Sequence, residues 1–122
     1  LHTPWLKETE NMIRGRHFRL MKTGASFINT ARGAIVCEAE MIEVFKERPD
    51  LHAVLDVTWP EPPMKNSPLY TLDNITLTPH IAGAMGYECS RMGEYMLEEL
   101  KRYIDGQPLK WALTRKQASI MA

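Results

Sequence analysis

At 122 residues and 14.0 kDa the chain has the size of one ordinary domain. Its 44% hydrophobic and 25% charged residues exclude disordered, collagen-like and transmembrane classes, since apolar runs go no further than Ala34-Ile35-Val36-Cys37. Fifteen basic and fifteen acidic side chains cancel, and neither half is a polyelectrolyte, which argues against nucleic acid or an anionic membrane as the main partner.

Leu1-His2-Thr3-Pro4 reads as the end of a strand, and the chain as a piece of something longer. Residues 7–11 are polar, and Thr9 is a candidate helix cap. Met12, Ile13, Phe18, Leu20 and Met21 fall near helical spacing with Gly15 interrupting, which predicts a short helix over 10–14 and another turn over 15–21, ended by Thr23-Gly24. Residues 25–30 read as a strand, and Ala31-Arg32-Gly33 as the turn after it. Glu38–Glu47 is an amphipathic helix, with Met41, Val44 and Phe45 inward and Glu40, Glu43, Lys46 and Glu47 outward, closed by Pro49.

Residues 52–57 form a second strand, apolar enough to be buried on both faces as strands of parallel sheets are. Residues 58–74 hold Pro60, Pro62, Pro63 and Pro68 and so form a loop, followed by a third strand over 75–78. Residues 84–105 read as a long helix whose stripe of Met92, Tyr95, Met96, Leu100, Tyr103 and Ile104 is core packing; Gly106-Gln107-Pro108 ends it. Residues 109–122 carry Lys110, Arg115 and Lys116 with no acid and are expected to dock elsewhere. Cys37 and Cys89 are too few for a disulfide scaffold and no metal-ligand pattern accompanies them, so a reducing cytoplasm is the expected compartment.

Strands alternating with helices imply an α/β layer structure with a parallel sheet. Right-handed crossovers then gather the strand C-termini on one edge, where open α/β sheets bind ligands. To that edge the sequence delivers His2-Thr3, then Asn29-Thr30-Ala31-Arg32, then Asp56 with Glu61 five residues on, then His80 just past Pro79. An arginine fork can hold a carboxylate through two parallel hydrogen bonds. A histidine passes protons near neutral pH, and a carboxylate beside it fixes its tautomer. Taken singly each has a blander explanation: Arg32 as an ion-pair partner of Glu38, Glu61 as a solvated acid, Asp56 as a turn cap. His17 and His52 read as surface and strand-start residues.

Four motifs in order carry a resemblance: Leu1-His2-Thr3-Pro4, Asn29-Thr30-Ala31-Arg32-Gly33, Leu55-Asp56-Val57 through Pro60-Glu61-Pro62, and Thr78-Pro79-His80-Ile81-Ala82-Gly83. Over residues 1–106 the sequence resembles the NAD(P)-dependent D-2-hydroxyacid dehydrogenases. The resemblance implies a partial Rossmann-like parallel sheet flanked by helices, the C-terminal half of a dinucleotide-binding domain, with 107–122 docking on a substrate domain. It further implies that Arg32 binds the carboxylate of a small 2-keto or 2-hydroxy acid and polarises its carbonyl, that His80 is the acid/base, and that Glu61 holds His80. Asp56 would hold the nicotinamide amide of NAD or NADP, and His2, Thr3, Pro4, Thr30, Ala31 and Gly83 would line the cofactor alongside Arg32 and His80. Glu61 stands where formate dehydrogenase relatives carry Gln, which speaks against that branch.

The sequence departs from the family pattern at Cys37, where an Asp-like helix cap is usual, at the variable position Trp59, and at Met85-Gly86, which replaces a Thr-containing turn. No Gly-x-Gly-x-x-Gly occurs among its seven glycines, so the isolated chain is expected to be inactive. An apolar strand edge near 1–3 or 52–57 is expected to recruit a second copy, giving a dimer or larger assembly. The alternative is an NAD-sensing, corepressor-like interaction protein on the same scaffold; a Ser/His/acid hydrolase ranks last because no Gly-x-Ser-x-Gly elbow is present.

Overall fold

The computed structural model describes residues 1–121. The chain divides into two compact units, Leu1–Ala82 and Gly83–Met121. In the first unit the elements run α1 (Gly15–Arg19), β1 (Ser26–Asn29), α2 (Glu38–Glu47), β2 (His52–Leu55) and β3 (Ile75–Leu77). The three strands are parallel in the order β1-β2-β3, with Asn29 opposite Leu55 and Leu55 opposite Leu77. β2 is therefore the central strand and not an apolar edge, as its buried Ala53 and Leu55 require. Residues 1–3 form no strand, although the Leu1 nitrogen donates to the Ile28 carbonyl at 2.8 Å beside β1.

The helix expected over 10–14 is absent. Thr9 closes a turn on the residues before it, its hydroxyl accepting from the Leu6 N–H at 2.8 Å and donating to the Pro4 carbonyl at 2.7 Å. Asn11 then takes a left-handed conformation, φ 52°, and Ile13 runs extended, bridging in parallel to Val36. Helix begins only at Gly15. The core lies between α1, α2 and the sheet: Phe18 meets Phe45 and Phe27 edge-on, with ring centroids 5.6 and 5.0 Å apart. Met41, Ile42, Val44 and Phe45 supply the buried face of α2. Its last carbonyls would otherwise be orphaned. The buried Asn74 amide donates to one of them, that of Phe45, at 2.9 Å, and also to the carbonyl of Arg48 just after the helix at 3.2 Å, which takes the Leu51 N–H as well.

Two constraints shape the strand ends. After β1 the chain enters a short 3-10 turn at Gly33–Ile35 that lies directly on the backbone leaving β2. A Cβ on Gly33 would sit 2.0 Å from the Thr58 carbonyl carbon, so only glycine fits there. Asp56, 4% exposed, is the second constraint. Its Oδ1 accepts from the Thr78 hydroxyl and from the Ile81 N–H at 2.9 Å, and its Oδ2 from the Ala82 N–H at 2.8 Å. Burial pushes this carboxyl up, but those three donors and the nearby His80 outweigh it and hold it below the ordinary Asp value.

In the second unit α3 (Tyr87–Ile104) begins later than expected, because Gly86 before it is left-handed at φ 54°. Its stripe is not core: α3 has no buried residue, and Met92, Tyr95 and Met96 are all exposed. The tail instead turns back along α3. The Glu99 carboxylate accepts from the N–H groups of Lys110 at 3.1 Å and Trp111 at 3.0 Å, and Trp111 stands 6.4 Å from the Tyr95 ring. A short α4 (Arg115–Ala118) comes next, capped reciprocally by Thr114 and Gln117. Among the described residues no helix is long and apolar enough to cross a membrane.

Gly33→Ala is expected to lower the unfolding free energy by about 1–3 kcal/mol through overpacking, read from urea denaturation. Asp56→Asn removes charge-assisted bonds and is expected to cost about 2 kcal/mol at neutral pH. Because the folded carboxyl is held below its unfolded value, that contribution is present above the unfolded Asp range and fades as pH falls through the folded value. The stability difference between wild type and variant should therefore narrow in acid; a gap independent of pH would contradict the assignment.

Candidate active site

Parallel strands deliver their C-terminal ends to one rim, and the hydrogen-bond ladder runs one step beyond them. Asp56 N donates to Asn29 O and Thr78 N to Leu55 O, each at 3.0 Å. The three exits consequently start level with one another.

From β3 the chain passes Thr78 and Pro79 to His80, which is left-handed at φ 54°. Such a backbone is uncommon for a residue with a Cβ and costs of order 1 kcal/mol. Asp56 imposes it by holding the amides of Ile81 and Ala82. From β2 the chain passes Thr58, whose hydroxyl donates to the Pro60 carbonyl at 2.9 Å, to Glu61. The bonds before Pro60 and Pro62 are cis. These two paths bring Glu61 Oε1 to 2.6 Å from His80 Nδ1, with both side chains half-exposed. A carboxylate there holds a ring proton on Nδ1 and turns Nε2 toward a third party.

The pair opens on a cavity of about 350 Å³ lined by Asp56, Thr58, Glu61, Pro62, Pro63, Leu77, Thr78, Pro79 and His80. Apolar walls with a few convergent polar groups suit a small organic molecule. Asp56 Oδ2 takes a single donor, the Ala82 N–H. No glycine-rich turn opens a helix at this rim, so nothing among the described residues fits a pyrophosphate. Among the same residues no cluster of His, Cys, Asp and Glu could hold a metal.

Arg32 lies at the neighbouring exit but does not line this cavity; its Nη1 donates to the Ala31 carbonyl at 2.7 Å. Its turn is built by Asn29, 1% exposed, which accepts from Ala31 N and donates to Arg32 O, both at 3.1 Å. The sequence signal for this Asx-type closure is an Asn at a strand end just before a turn. Thr30 is exposed and Ala31 half-buried on the same turn. His2 is exposed, and Thr3 and Pro4 are half-buried, in the segment leading to the Thr9 turn. Gly83 opens the second unit.

Arg32 and Glu38 do not pair. The half-buried Glu38 instead accepts from the Trp59 N–H at 3.1 Å, and burial, only partly offset by that bond, raises its carboxyl. Trp59 meets Trp5 edge-on with centroids 4.7 Å apart. Neither contact is readable from local sequence, since each joins residues far apart in the chain.

Known proteins match this arrangement. The chain is 37% identical over 113 residues to D-3-phosphoglycerate dehydrogenase of Archaeoglobus fulgidus, covering 93% of this chain and 21% of that protein. It is 38% identical over 107 residues to glyoxylate reductase of Thermofilum pendens, covering 88% and 32%. The chain thus spans no more than about a third of the length of these curated relatives. Among solved structures, D-lactate dehydrogenase with NAD+ from Lactobacillus jensenii superposes with a TM-score of 0.82 at 30% identity, covering 94% of this chain and 38% of that one. A family profile described as D-isomer specific 2-hydroxyacid dehydrogenase, NAD binding domain, matches residues 1–82, which is also the extent of the unit holding the strands and the Glu61–His80 contact. With the family match and the parallel rim in agreement, the chain belongs to the D-isomer specific 2-hydroxyacid dehydrogenases, within their NAD-binding domain.

Proposed function

We propose that this chain carries the acid/base half of an active site that interconverts a small 2-keto acid and the D-2-hydroxy acid. The observation that carries the reading is the 2.6 Å contact between Glu61 and His80 on a rim of parallel strand ends. In reduction, His80 donates the Nε2 proton to the substrate carbonyl oxygen as that oxygen becomes a hydroxyl; in oxidation it takes the proton back. Glu61, bonded at Nδ1, keeps the ring oriented. Arg32 clamps the substrate carboxylate through its fork, which requires the side chain to swing from the Ala31 carbonyl toward the cavity. A bound nicotinamide supplies or accepts the hydride.

For that cofactor, NAD or NADP, Asp56 offers its remaining acceptor position to the carboxamide. His2, Thr3, Pro4, Thr30 and Ala31, together with Arg32 and His80, would line that cofactor. Residues 1–106 act as the C-terminal part of the cofactor domain, with the pyrophosphate held by residues outside these 122, and residues 107–122 reach toward the substrate domain. The exposed Met92, Met96, Leu97 and Leu100 of α3 support a homodimer or larger assembly, and the free thiols of Cys37 and Cys89 support a cytoplasmic setting.

The test is reduction of glyoxylate and hydroxypyruvate, with NADH and with NADPH, by the enzyme of which this segment is proposed to be part. His80→Gln is expected to lower kcat by about 10²–10⁴-fold, the usual worth of a general acid. Arg32→Lys should act mainly on KM, because a point charge replaces a two-pronged clamp. The isolated 122-residue chain, titrated with NADH and followed by fluorescence, should show no micromolar binding. Wild-type turnover by His80→Gln, or no reduction of any 2-keto acid with either cofactor, overturns the proposal.

A further inference from the structure

Glu61 sits on a proline-interrupted loop outside any regular element, yet it meets His80 at hydrogen-bond distance. Something must fix the loop just before it. Thr58 is buried, and its backbone lies directly against Gly33. The next residue, Trp59, gives its N–H to Glu38, the first residue of α2, at 3.1 Å. The turn after it closes through Thr58 Oγ1 on the Pro60 carbonyl at 2.9 Å. Glu61 comes immediately after. The Trp59 indole, anchored only edge-on against Trp5 and half-exposed, is a weaker restraint than the backbone bond.

We infer that Glu38 is a positioning residue for the acid/base pair: its carboxylate, held by α2, fixes the Trp59 amide and thereby sets how far Glu61 can reach toward His80. The inference rests on the proposed roles of Glu61 and His80, but its geometry does not. Glu38 touches neither the cavity nor the two reacting groups, so it acts only through the loop. An acid at the first position of a helix is already favoured by the helix dipole. The bond to Trp59 uses that fixed carboxylate a second time, as an anchor for a segment far along the chain.

The test uses this 122-residue chain and three variants. Glu38→Ala removes the acceptor, Glu38→Gln keeps an acceptor oxygen at the same reach, and Glu38→Asp withdraws it by one methylene. Two NMR readouts are taken: hydrogen exchange at the Trp59 amide, and the tautomer of neutral His80 from its ring nitrogen shifts at alkaline pH. Losing a hydrogen bond of about 1.4 kcal/mol is a factor of ten, so Glu38→Ala should speed Trp59 exchange by about tenfold. It should also release His80 from the Nδ1–H tautomer toward the Nε2–H form that a free imidazole prefers. Glu38→Gln should restore both readouts, and Glu38→Asp should fall between. A His80 tautomer that is unmoved in Glu38→Ala overturns the inference, as does a Glu38→Gln protein that behaves like the alanine variant. Should the alanine chain not fold, the same two criteria apply to Glu38→Asp against Glu38→Gln. Neither readout needs turnover, so failure here is separable from failure of the dehydrogenase reading, which only the kinetic assay reaches.

Discussion

The candidate site depends on one carboxylate inside the fold rather than on either of the groups that would do chemistry. Asp56 comes directly after the central strand and takes three donors from the chain leaving β3, including the two amides directly after His80. A buried acceptor of this kind makes its donors cooperate: the Thr78 hydroxyl and the Ile81 and Ala82 amides can all reach it only if the chain turns sharply at His80. The left-handed φ of His80 is the local expression of that demand. The half-exposed His80 side chain is thus aimed by part-buried bonds that grip the backbone directly after it.

The level start of the three exits is what makes this possible. In an antiparallel sheet Asp56 and Thr78 would leave at opposite ends, and no single carboxylate could span them. Here β2 and β3 run the same way with Leu55 opposite Leu77, so the first residue past each strand is a neighbour of the other. Gly33 adds the matching condition on the other side, where absence of a Cβ lets the β1 exit lie against Thr58. Both conditions are backbone conditions, and they are met by residues that would take no part in a proton transfer.

These backbone conditions separate the parts of the molecule that are legible in the sequence from those that are not. The parallel sheet is legible, because Ala53, Val54 and Leu55 make a consecutive apolar run between turn signals, as strands of parallel sheets do. So is α2, whose buried and exposed residues alternate at helical spacing. Over 10–14 helical spacing misleads, because the same pattern arises when Ile13 is extended and paired with Val36, while Thr9 commits its hydroxyl to the turn before it. The α3 stripe misleads for a different reason: periodicity shows that a face is apolar, and says nothing about what lies against it. At the site, motif order is enough to anticipate the Glu61–His80 contact, but not the rotamer of Arg32. Its donor has found the nearest carbonyl, that of Ala31, and a long side chain at a strand end has many such choices.

The two members of the proposed acid/base pair are held by different physics. His80 is fixed by a carboxylate that grips the backbone after it, and Glu61 by a carboxylate that grips the backbone before it. Asp56 is buried, and its three donors keep it charged; Glu38 is half-buried with one backbone donor, so burial dominates and its proton is held more firmly. A clamp with three partners tolerates the loss of one, whereas a clamp with a single partner is either made or lost. The backbone before Glu61 is thus gripped by one carboxylate bond, and the backbone after His80 by two. For the proton exchange proposed for His80, this division would keep the ring where the strand end puts it while Glu38, through Trp59, sets the reach of Glu61.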